Sequence, residues 1–131
     1  MVWARVRLPG GETVCLSNLH ASAGLPRKAS GELLAAARSA VDWSGAEPLV
    51  FGGDMNLRPA RDPLAFAELR ERYGLGDPTG RHAIDHLLSR GLEVTEPPRR
   101  LPGAERELPA QDGLRLRLSD HAPVIASYEV R

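Results

Sequence analysis

The chain of 131 residues carries 17 Lys and Arg against 17 Asp and Glu, a single cysteine, and an apolar fraction of 42%. That length fits one domain with a modest core, and the composition is globular rather than disordered. Zero net charge supplies no global pull towards nucleic acid, and lone Cys15 excludes both an internal disulfide and a cysteine-based zinc site. No apolar run reaches membrane-spanning length, and no charged, then apolar leader opens the chain. The expectation is a soluble, cytoplasmic protein in a reducing compartment.

Taken in order, Val2 to Leu8 alternates, with Val2, Ala4, Val6 and Leu8 on one face and Trp3, Arg5 and Arg7 on the other. This predicts a half-buried strand. Pro9-Gly10-Gly11 is a turn, and Thr13 to Leu19 resumes the extended pattern, so the two runs form a hairpin. After a loop from His20 to Ala29, Ser30 is a fitting N-cap for a helix to about Trp43, with Leu34, Ala37 and Val41 on one stripe. Leu49-Val50-Phe51 suits a strand buried on both sides. Asp62-Pro63 starts a second helix, with Phe66, Leu69 and Tyr73 along one face and Gly74 at its C-terminal end. Ala83 to Ser89 and Leu92 to Thr95 are strands, Glu96 to Gly113 reads as a long loop, and Leu114 to Leu118 and Val124 to Val130 close the set. The class is mixed α/β or α+β.

Four segments place polar groups where strands end, the usual address of a site in an α/β sheet. Ser17-Asn18-Leu19-His20 ends an extended run; taken alone, His20 is an ordinary loop histidine. Gly52-Gly53-Asp54-Met55-Asn56 follows the apolar strand, where Asp54 and Asn56 either aim at one point or close a tight turn. In Ala83-Ile84-Asp85-His86-Leu87-Leu88 a carboxylate interrupts an apolar strand, so Asp85 faces solvent or pairs with a cation or imidazole. Ser119-Asp120-His121-Ala122-Pro123 offers a metal-binding oxygen beside an imidazole, or is a surface turn. His82 reads as surface and His86 as packing beside the site.

As a set, N-x-H, G-G-D-x-N, I-D-H and S-D-H-x-P resemble the endonuclease/exonuclease/phosphatase superfamily, across almost the whole of residues 1–131. The resemblance implies half of a two-sheet α/β sandwich: a mixed, mainly antiparallel sheet with two helices on one side, as a partial domain. It also implies a magnesium- or manganese-dependent phosphoesterase in which activated water attacks a phosphate ester. Asp54 would orient or deprotonate the water, and Asn56 would hold it, a phosphate oxygen or a second metal. Asp120 would bind metal, with Asp54 and Asn56 as further ligands. His121 would donate to phosphate, held cationic by Asp85, and His20 would make a second phosphate contact. Metal, imidazolium and amide are what such chemistry needs.

Two departures shape the expectation. The family's metal-binding Glu and an Asn precede the region that Val2 resembles and have no counterpart here, which predicts weak or absent activity of these residues alone. The alternative is a non-catalytic remnant or binding partner of the same fold, associating through an exposed sheet face. The substrate class stays open between nucleic acid and other phosphate esters, although no Phe, Tyr or Trp lies between Asp85 and Asp120 to form a sugar pocket. Arg99, Arg100, Arg106, Arg115 and Arg117 are nearly cancelled by Glu96, Glu105, Glu107 and Asp112, and read as a solvated mixed-charge loop.

Overall fold

Pro9-Gly10-Gly11 turns the chain between β1 (Val2–Arg7) and β2 (Thr13–His20), which pair antiparallel; Gly11 supplies the left-handed φ of 98°. The computed structural model describes residues 1–109, 113–117 and 119–130. β3 (Leu49–Asp54) lies parallel to β2, and such a pair needs a crossover long enough to return the chain. Helix α1 (Pro26–Ser44) provides it. Helix α2 (Pro63–Tyr73) then leads to β4 (Asp85–Arg90), antiparallel to β3. The result is a mixed four-stranded sheet of order β1-β2-β3-β4, whose β4 edge is bridged by Gly76 at Ser89.

β5 (Leu92–Arg100) and β8 (Val124–Val130) form an antiparallel pair, and β6 (Glu107–Pro109) pairs with β7 (Arg115–Arg117) after a 3₁₀ turn over Gly103–Arg106. The architecture is α+β, with both helices contributing to one core against one face of the sheet. That core joins Leu33, Ala36, Ala37 and Ala40 of α1, Leu69 of α2, and Cys15, Leu49, Phe51 and Leu88 of the strands.

Several expectations are corrected. α1 begins four residues before Ser30, because Pro26 occupies the first turn, where its fixed φ and missing N–H cost nothing. Its buried stripe is Ala29, Leu33, Ala36, Ala37 and Ala40, with Leu34 and Val41 only half-buried. Asp62 precedes α2 as expected, but its carboxylate accepts the Arg58 N–H rather than capping the helix. β3 is buried on one side only: Leu49 and Phe51 are inaccessible, whereas Val50 looks onto the opposite face. Every residue of β1 is exposed rather than half-buried. Its place is held from the helix side, where the Arg5 Nε meets Glu47 at 2.6 Å and its guanidinium lies 4.5 Å over the Trp43 ring. The Glu96–Gly113 stretch is no simple loop, since β5 continues to Arg100 and β6 follows the 3₁₀ turn. Asp112 and Leu118, at the ends of the expected loop and strand, lie outside the described residues.

The face away from the helices carries Val2, Ala4, Leu16, Val50, Gly52 and Leu87, which line an open cavity of about 970 Å³ with Val124. No described element covers it. Because side chains alternate along each strand, the polar residues that end β2 and β3 and begin β4 fall on this same face.

Candidate functional site

Register alone gathers the first three groups. His20 is opposite Asp54 across β2–β3, and Asp54 is opposite Asp85 across β3–β4. One end of the sheet therefore presents an imidazole and two carboxylates side by side. The backbone there is tied on both flanks: Ala21 N–H donates to the Asp54 carbonyl (2.9 Å), and Met55 N–H to the Ile84 carbonyl (2.9 Å). Met55 and Leu57 are buried, which pins the segment after β3 from below.

Gly53 is required for that approach. Its φ is 125°, and a Cβ at this position would overlap the Leu19 carbonyl and the Asn18 side chain. Asn56 follows at φ 51°; its backbone N–H donates to Asp54 Oδ1 (3.0 Å) and its side-chain amide to the Ala21 carbonyl (2.9 Å). The carboxamide thus joins the segment after β3 to the one after β2, a contact that spacing alone did not disclose.

His121 arrives from the turn before β8. Its Nδ1 lies 2.9 and 3.0 Å from the two oxygens of Asp85, so the carboxylate that interrupts an apolar strand is answered by an imidazole. Nδ1–H donates to Asp85, which turns Nε2 towards Asp54 Oδ2 at 4.0 Å. His20 Nε2 stands 3.6 Å from the same oxygen, with its side chain 77% exposed at the rim. Asp54 and Asp85 are far less exposed, at 16% and 18%.

The hydrogen bond to Asp85, then its charge, raises the His121 pKa above the ordinary imidazole value; partial desolvation opposes this, and Asp54 and Asp120 add to it. Any stability that follows is fully present below the ordinary histidine pKa and is lost as pH rises through the raised one. In Asp85→Asn the NMR titration midpoint of His121 is expected to fall. An unchanged midpoint would show that the carboxylate does not hold the cation.

Asp54, Asp85 and His121 each offer a ligand atom within 4.8 Å of the others, a candidate metal cluster. Asp120 is exposed and stands outside that cluster, beside His121 on the wall of a neighbouring cavity. The donor set fits a divalent cation in part. Asp54 and Asp120 supply hard carboxylate oxygens of the kind magnesium takes, but Asp85 is committed to the imidazole. His86, by contrast, is a wall residue. It is buried, Nε2 is 3.2 Å from the Leu57 carbonyl, its ring packs edge-on against Phe66, and burial lowers its pKa. His82 is exposed and lines the neighbouring cavity. Arg58, two residues past Asn56, also lines it and was not singled out from the sequence.

No protein-family model matches this sequence, and no curated protein does. Solved structures do. A Bacteroides thetaiotaomicron protein of the endonuclease/exonuclease/phosphatase family aligns with a TM-score of 0.66 at 15% identity, over 93% of this chain and 53% of its own. A D. rerio TDP2 humanized by 14 mutations gives 0.53 at 20% identity, over 98% and 57%. The human Nocturnin catalytic domain with bound sulfate gives 0.52 at 17% identity, over 72% and 49%. The chain has the endonuclease/exonuclease/phosphatase fold and spans about half the length of the structures it matches.

Proposed function

We propose that this chain carries the water-orienting and phosphate-binding part of a metal-dependent phosphoesterase, within a partial domain spanning residues 1–131. The observation that supports it best is the convergence of His20, Asp54, Asp85 and His121 at one end of the sheet, with Nε2 of both imidazoles turned to Asp54. A phosphate seated there meets a cationic His121, whose Nε2–H donates to a non-bridging oxygen while Asp85 fixes the ring. His20 makes a second contact from the rim. Asp54, held by the Asn56 N–H through Oδ1, presents Oδ2 between the two imidazoles, where it orients the attacking water and accepts its proton. The water oxygen bonds to phosphorus as the ester P–O bond breaks, and the leaving oxygen takes a proton from solvent. A divalent cation, magnesium or manganese, held by Asp54 and Asp120 with Asn56 as a further ligand, would neutralise phosphate charge. Sulfate bound to the Nocturnin domain is a tetrahedral anion of similar size, which is consistent with an anion site in this fold.

No described helix is long and apolar enough to cross a membrane. Lone, buried Cys15 is what supports a cytoplasmic assignment. Inorganic phosphate is expected to shift the His121 and His20 imidazole signals in NMR spectra of residues 1–131, and His121→Asn to weaken that binding about tenfold, the scale of one charge-assisted hydrogen bond. Phosphate that leaves both imidazoles unmoved would refute the assignment.

A further inference from the structure

Beside the site lies a second cavity of about 480 Å³, which Asp85, Asp120 and His121 share as one wall. Its other walls include Arg58, Arg100 and Arg106, contributed by the segment after β3, the end of β5 and the 3₁₀ turn. Three arginines from separate parts of the chain thus border one small space.

None of the three, among the described residues, is tied up by a carboxylate as Arg115 and Arg117 are. Arg115 and Arg117 are both held by Glu107, at 3.5 and 3.4 Å. Among the described residues, Arg58, Arg100 and Arg106 form no such ion pair. The Arg106 Nε is buried without a hydrogen-bond partner, a costly state for a charged donor. On the shared wall Asp85 is already neutralised by His121, leaving Asp120 as the unpaired carboxylate against three cations. Such a cavity has an excess of positive charge, which is what a multivalent oxyanion satisfies.

We propose that this cavity is a subsite for a second phosphate, so that the substrate is a small molecule bearing another phosphoryl group close to the scissile one. The inference rests on the phosphoesterase reading above and names the substrate class for that site. A compact bisphosphate is favoured over a nucleic-acid strand because the chain has no net charge. The same stretch also carries Glu96 and Glu105, which a long polyanion would have to pass.

The test is calorimetric titration of residues 1–131, without metal, using an adenosine monophosphate, an adenosine bisphosphate with both phosphates on one ribose, and a trinucleotide. The bisphosphate is expected to bind about tenfold or more tightly than the monophosphate. Arg106→Gln and, separately, exposed Arg100→Gln should bring the bisphosphate down to the monophosphate affinity and leave the monophosphate unaffected. His121→Asn should weaken both. Equal affinity for the two nucleotides, or a preference surviving in both arginine variants, would overturn the subsite and leave the phosphate site standing. Failure to bind either nucleotide, or indifference of both to His121→Asn, would overturn the phosphoesterase reading and the subsite with it. A trinucleotide that outcompetes the bisphosphate and depends on Arg100 and Arg106 would overturn the small-molecule assignment.

Discussion

Gly53→Ala is expected to lower the unfolding free energy by about 3 kcal/mol or more, the upper end of what a residue held in a sparsely allowed backbone conformation costs. Two independent penalties coincide at this position. The φ of 125° lies where L side chains are strained, and the added methyl would overlap the Leu19 carbonyl on the neighbouring strand. Neither can be relieved locally, since Leu19 and Gly53 are register partners in the parallel β2–β3 pair. The strands must part, and the residues that follow them are His20 and Asp54. Their 3.6 Å spacing should open, so phosphate binding weakens along with stability. Gly31→Ala is the control. It sits in α1 with open space around it, and removing glycine from a helix interior should stabilise by about 0.5–1 kcal/mol. Urea melts of both variants decide the matter; a Gly53→Ala midpoint equal to wild type would show that β2 and β3 tolerate separation.

How far the site was legible depended on whether its cause was local. A carboxylate inside an apolar run must be answered, and Asp85 is answered by His121. Strand ends mark sites because alternation and register bring their residues together, as with His20, Asp54 and Asp85. Non-local causes stayed hidden. The tie between Asn56 and the Ala21 carbonyl depends on how two loops lie together, and the meeting of Arg58, Arg100 and Arg106 depends on the path after β5. That path was misread because Pro97-Pro98 among charges signals a loop. Here β5 absorbs both prolines through register shifts between Val94 and Glu96 and between Glu96 and Arg99, the kind of irregularity where a strand tolerates proline. The sheet itself was legible in outline but not in which side is covered. Leu49-Val50-Phe51 was expected to be buried on both sides, yet only Leu49 and Phe51 enter the core, and Val50 takes the open side with Leu16 and Leu87.

Residues 1–131 alone are expected to turn over no phosphodiester with magnesium or manganese, and to associate as concentration rises. The catalytic part follows from the donor count. Asp85 is spent on His121, and Asp54 Oδ2 already faces two imidazoles, so Asp120 is the carboxylate least committed to a partner. Magnesium sheds water reluctantly and demands near-octahedral oxygen ligation, so it binds weakly to such a set. The association part follows from the open face. Val2 is 67% exposed and Leu16 39%, and each Å² of apolar surface covered contributes about 25 cal/mol. A chain of this size has roughly 5–15 kcal/mol of stability in all, so covering several such side chains with another apolar surface is a large gain. Size exclusion across a concentration series reads the association; Leu16→Glu, pointing to the open side, should restore a monomer without lowering the melting temperature. The assay compares residues 1–131 with a polypeptide extended by any in-frame sequence encoded upstream of Met1. Should the extended form be active, Asp54→Ala must lower its kcat by roughly 10²–10⁴-fold, the usual worth of a positioned general base, with little change in melting temperature. Turnover by residues 1–131 as a monomer would mean that Asp54, Asp120 and Asn56 suffice to hold the metal, and the donor-count argument would fall.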